Sequence, residues 1–150
     1  MQKPTHIMPE PNTALVAQIF ERAEFVRSLG ITLVAFGYGW CETSMAVAPA
    51  ISQQHGYVHA GALMTLADHT CGGAAASTVP ADKDVLTIDN NFSFLRAAAG
   101  DVLKCRASVI RTGSTVAFVE ARIDVMRDGV ATHIVSASSI LSIVGYRPRN

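Results

Sequence analysis

The sequence predicts an α+β domain in which a curved antiparallel sheet wraps one long central helix. Three observations carry that prediction. Residues 60–76 have helical length and spacing, are apolar nearly all round, and are rich in small residues that let other elements approach closely. Residues 85–144 read as four strands separated by turn signals. Alternation is clearest where Ala117, Val119, Ala121, Ile123 and Val125 face away from Glu120, Arg122 and Asp124. A single apolar helix between long strands has little except those strands to cover it.

The elements follow in order. Pro9 and Pro11 make residues 1–12 an arm, ahead of a single domain over residues 13–150. Asn12 is a helix cap, and Leu15, Ile19, Phe20, Ala23, Val26 and Leu29 space one helix that Gly30 stops. Residues 31–36 and 40–47 form a hairpin around Gly37-Tyr38-Gly39, closed by Pro49. A polar connection over residues 50–58 carries Gln53, Gln54, His55 and Gly56 into the central helix at Ala60. Pro80 and an acidic loop end that helix. Strands are then expected over 85–95, 102–111, 115–127 and 130–144, with turns at 96–101, Thr112-Gly113-Ser114 and Asp128-Gly129. The basic tail from Tyr146 is expected to fray.

Composition excludes several classes of function. The 150 residues are 49% hydrophobic and 16% charged, so the chain is not disordered. Twelve basic and twelve acidic residues cancel, which leaves no broad cationic field for nucleic acid or anionic lipid. No apolar run reaches the ~18 residues of a membrane span, and no signal-peptide core follows Met1. Three cysteines without a C-x-x-C pair argue against a disulfide framework and for a reducing cytoplasm. So little charge on so apolar a chain also points to association into oligomers.

Asp68 is the one formally charged residue between Thr43 and Ala81. A carboxylate inside an apolar helix is costly to keep, so it needs either hydrogen-bond donors or a chemical task. At the start of the same helix, His59-Ala60-Gly61 offers unpaired N–H groups at the positive end of the dipole. Such a helix start suits a polarised carbonyl or an oxyanion, with His59 and Gln53 placed to orient it.

These residues carry a resemblance. His59-Ala60-Gly61-Ala62-Leu63-Met64-Thr65-Leu66-Ala67-Asp68, followed by Gly72-Gly73, resembles the H-G-G-x-x-x-x-L-x-D motif of hotdog-fold acyl-CoA thioesterases, in their phenylacetate-pathway (PaaI-type) branch. Thr87 to Arg96, with Asp89, Phe94 and Leu95, resembles that family's second block, T-x-D-x-x-x-x-F-L-R. The resemblance spans roughly residues 30–144. It implies a hotdog fold and hydrolysis of acyl- or aryl-CoA thioesters, with coenzyme A as part of the substrate and no separate cofactor. It also implies Asp68 as general base or nucleophile, the Ala60 N–H as carbonyl donor, His59 and Gln53 beside it, and Thr87 positioning the water. In that family the loop matching Thr112, Gly113 and Ser114 runs along bound coenzyme A. Arg96 and Arg111 are candidate contacts to its phosphates, with solvated surface arginines the alternative, and Gly61 is a further candidate substrate contact. Ala60 stands where the family has glycine and Gln53 where it has asparagine, so turnover and substrate range are open. Other readings are a non-catalytic acyl-CoA-binding module and a dehydratase or hydratase.

Helix geometry adds an independent argument. Ala60 and Asp68 are eight residues apart, or ~12 Å along one axis. One carbonyl held at Ala60 is out of reach of the same chain's Asp68 at ~3 Å. Two helices packed antiparallel at ~8–10 Å bring one chain's Asp68 to the other's helix start. A homodimer is therefore the smallest unit expected to act, and the resemblance implies a dimer of dimers. Lesser candidates remain. His55 and His59 have a ligand-like spacing that Gly56 spoils, so no metal is expected, and Cys71 reads as a small core residue.

Overall fold

The computed structural model describes residues 9–146. Residues 1–8 of the expected arm and residues 147–150 of the expected tail lie outside the described residues. The helical segment is two helices rather than one: α1 over Thr13–Arg22 and α2 over Glu24–Ser28. Ala23 turns the chain between them with φ −81° and ψ 85°. The apolar spacing runs on through this break because both helices face the same core, burying Leu15, Val16, Phe20 and Val26. Asn12 caps α1 by accepting from the Leu15 N–H at 3.2 Å.

The hairpin follows as β1 (Ile31–Gly37) and β2 (Trp40–Ala46), and a short 3-10 turn at Pro49–Ile51 leads into the polar connection. Helix α3 runs over Ala60–Ala76. The remaining strands are β3 (Lys83–Phe94), β4 (Val102–Thr112), β5 (Val116–Arg127) and β6 (Val130–Gly145). All six pair antiparallel in one sheet, in the order β1-β2-β4-β5-β6-β3. The core lies between α3 and the sheet, where Leu66, Ala67, Cys71 and Ala74 meet Leu103, Val119, Ile123 and Leu141, all nearly inaccessible. Glycine makes the helix fit there: a Cβ on Gly73 would lie 2.8 Å from Cys41 Sγ and 3.0 Å from the Phe20 ring.

The sheet does not enclose α3 completely. Ala60, Gly61 and Met64 are exposed and Asp68 is half-buried, so residues 60, 64 and 68 form an open stripe. A composition apolar nearly all round points to burial on every side, and this stripe departs from it. The sheet covers one side of α3, and the other side stays bare in a single chain. Strand β3, beside this stripe, is a sheet edge of 12 residues.

Candidate active site

The polar connection is stitched into place before it reaches α3. His59 N–H donates to the Ile51 carbonyl at 2.8 Å, and Val58 N–H to the Ala98 carbonyl at 3.1 Å. His59 is then the N-cap, in extended backbone, and its Nδ1 accepts from the Gly61 N–H at 2.8 Å. An accepting Nδ1 carries no proton, so neutral His59 holds its proton on Nε2. The His59 carbonyl accepts from Ala62 at 3.0 Å and Leu63 at 3.3 Å. These bonds consume every early donor of α3 except one. Among the described residues, the Ala60 N–H alone at this helix start has no partner.

That free donor lines a cavity of about 550 Å³ with Gln53, Tyr57, His59, Phe94 and Arg96. Gln53 Oε1 accepts from the His55 N–H, which leaves its amide nitrogen as the free end. His55 is thereby part of a turn, and among the described residues no three His, Cys, Asp or Glu cluster around a metal position. Arg96 is exposed at the rim and donates through Nη1 to the His133 carbonyl at 2.8 Å. Gly61, expected among the substrate contacts, spends its N–H on His59.

Asp68 lies further along the open stripe. Its Oδ1 accepts two hydrogen bonds, from Thr87 Oγ1 at 2.8 Å and from Asn90 Nδ2 at 2.7 Å. Among the described residues Oδ2 accepts none. The carboxylate is therefore paired with neutral donors, which is how the fold carries a half-buried charge. Sequence reasoning named Thr87 and missed Asn90. Residues 87 and 90 would face opposite sides of a regular strand, but the β3–β6 register shifts between Thr87 and Asp89, so Ile88 is an extra residue. The bulge turns both side chains toward Asp68, and no pattern in the sequence announces it.

The structure groups the expected residues into three places. Gln53, His59, Ala60, Gly61 and Arg96 cluster at the start of α3, and Asp68 meets Thr87 midway. Arg111, Thr112, Gly113 and Ser114 lie near Thr78, beyond the far end of a helix about 25 Å long. Cys71 is fully buried, and burial pushes its thiol up to about 12, so it is core rather than nucleophile. His69 packs edge-on against Phe20 with centroids 4.6 Å apart, and burial lowers its pKa.

In sequence and fold the chain is similar to known proteins. The sequence profile of the thioesterase superfamily matches residues 55–131. A candidate esterase of Halobacterium salinarum is 47% identical over 68 residues, which are 43% of this chain and 44% of that protein. The match thus spans less than half of that relative's length. A 1,4-dihydroxy-2-naphthoyl-CoA hydrolase of Listeria monocytogenes is 25% identical over 96 residues, 64% of this chain and 78% of that protein. Among solved structures, a thioesterase family protein of Silicibacter pomeroyi superposes with a TM-score of 0.84 at 31% identity, covering 87% of this chain and 99% of that one. The PaaI protein from the phenylacetic acid degradation operon of Escherichia coli has the same fold: TM-score 0.77 and 21% identity over 88% and 92% of the two chains.

Proposed function

The chain belongs to the thioesterase superfamily, and from that membership we propose that it hydrolyses acyl- or aryl-CoA thioesters to a free acid and coenzyme A. The observation that carries the reading is the pairing of one free amide, at Ala60, with one oriented carboxylate, at Asp68, on the same open stripe of α3. The name of the Listeria relative supports a CoA thioester as substrate.

The chemistry follows from the donors already spent. Thr87 gives its hydroxyl proton to Asp68, so toward a water its oxygen can only accept. A water between Thr87 Oγ1 and Asp68 Oδ2 gives each one of its protons and turns a lone pair outward. That lone pair attacks the thioester carbonyl carbon as Oδ2 takes the water proton. The Ala60 N–H donates to the oxyanion of the tetrahedral intermediate. When the intermediate collapses, the C–S bond breaks, and the CoA thiolate leaves and recovers the proton from Asp68. Thr87 and the free Oδ2 thus favour Asp68 as a general base.

For Ala60 and Asp68 to act on one thioester, the ~12 Å between them calls for a site shared by two chains. Antiparallel helices that put each Ala60 beside the partner's Asp68 cross at Met64, midway between them. Met64 is 40% exposed, and on the neighbouring sheet edge Leu86 and Ile88 are 60% and 61% exposed. A long, unpaired, apolar edge is a place where a second strand adds. The homodimer we propose buries this edge and the stripe together, and its pairing as a dimer of dimers is part of the same proposal.

The test is thiol release from a panel of acyl- and aryl-CoAs, followed with a thiol reagent. Turnover of at least one substrate class supports hydrolysis. Tight CoA-ester binding with no thiol released would instead mark a binding module.

A further inference from the structure

Asn90 is unusual where it stands. Asparagine is depleted in strands, yet here it sits half-buried in a sheet edge strand, at the end of a bulge. Its contacts have a fixed polarity. A carboxylate only accepts, so the amide nitrogen must face Asp68, which leaves Asn90 Oδ1 to accept from Ser139 Oγ. Ser139 is directly across the ladder from Asn90, is 2% exposed, and also touches the Cys71 thiol. The run is therefore Ser139 O–H to Asn90 carbonyl, then Asn90 N–H to Asp68 Oδ1. Every proton in it points toward the carboxylate.

Resting on the hydrolase reading above, we propose that Asn90 is a positioning residue for Asp68, brought into place by the bulge at Ile88 and locked by Ser139. Two donors converge on Oδ1, so the carboxylate cannot rotate without losing one, and Oδ2 is the oxygen presented to the water. Thr87 alone cannot do this, because a single donor leaves the carboxylate free to pivot about that bond. Ser139 acts one step further out. It fixes the Asn90 amide in the orientation that offers N–H, not C=O, to Asp68.

The experiment compares wild type, Asp68→Asn, Asn90→Leu, Ser139→Ala and the Asn90→Leu/Asp68→Asn double variant on the best CoA ester of the panel. Leucine keeps the size of asparagine and removes its donor. In Asn90→Leu, kcat should fall about 10–100-fold, the scale of one charge-assisted hydrogen bond, with KM nearly unchanged. Ser139→Ala should lower kcat in the same sense by less, and Ser139→Thr, which restores the hydroxyl, should recover it. The double variant should be no slower than Asp68→Asn alone, since Asn90 acts only through Asp68. If Asn90→Leu does not fold, Ser139→Ala decides, and an unchanged kcat there overturns the proposal. A wild-type rate in Asn90→Leu, with Asp68→Asn inactive, overturns this role and leaves the hydrolase standing. A wild type that hydrolyses nothing on the panel overturns both.

Discussion

Thr78 and Thr112 share a hydrogen bond of 2.9 Å between their hydroxyls, which pins the turn after β4 to the C-terminal end of α3. The free Ala60 amide is at the other end of that helix, about 25 Å away. Ala60, Asp68 and residues 111–114 are thus spread along the length of one helix, with Ala60 and Asp68 ~12 Å apart, too far to meet at one carbonyl within a chain. A composite site predicts complementation between Asp68→Asn and Ala60→Pro chains. Each variant alone should be nearly inactive. After subunit exchange, a hybrid dimer has one site with an intact amide and an intact carboxylate, so the mixture should reach about a quarter of wild-type activity. No recovery, with exchange verified by a tagged chain, would place the site within one chain.

Asp68→Asn should keep the fold and lose the reaction. Asparagine matches aspartate in size and still offers an oxygen to Thr87 and Asn90. It cannot accept the water proton, so kcat should drop by about 10²–10⁴. Circular dichroism and thermal melting should remain close to wild type while thiol release disappears. A near wild-type rate would remove Asp68 from the mechanism.

Much of this was legible because local chemistry and tertiary structure agree. The bounds of α3, Ala60–Ala76, follow from small-residue spacing and a cap at His59. Asp128-Gly129 is a two-residue hairpin turn, and both residues take positive φ, 49° and 76°. The break at Ala23 was not legible, since alanine is a strong helix former and the apolar spacing continues across it. The bulge at Ile88 was hidden for a related reason: it is a property of the β3–β6 ladder, and only pairing reveals the extra residue. Asn90 was missed with it. The open stripe of α3 was hidden too, because small apolar residues look alike whether a sheet or a second chain covers them.

The three cysteines should be silent in the thiol assay. Cys41, Cys71 and Cys105 are buried and free, and burial pushes the first two thiols up to about 12 and raises the third as well. A raised thiol pKa keeps the reactive thiolate scarce at any pH below it, so working at pH 7–9 does not expose these groups. Native protein should give almost no colour with a disulfide reagent at pH 8, and denatured protein should release three equivalents. Rapid labelling of native protein would show that the core around α3 opens readily.

The sharpest prediction concerns Ala60, where the working group is the main-chain N–H and not the methyl. Ala60→Gly should therefore be tolerated, since it removes a methyl beside the thioester and leaves the donor. Ala60→Pro deletes the donor at the first position of α3, where the N–H makes no intrahelical bond and proline is well accepted. The His59 cap on Gly61 involves the neighbouring amide and should survive. Loss of one oxyanion donor costs about 10²–10³ in rate, so the proline variant should fold, dimerise and turn over barely at all. Size-exclusion chromatography and melting temperature check the fold, and thiol release checks the chemistry. If a folded, dimeric Ala60→Pro protein hydrolyses CoA esters at the wild-type rate, the carbonyl is polarised elsewhere. The free amide at the start of α3 would then have no part in the reaction.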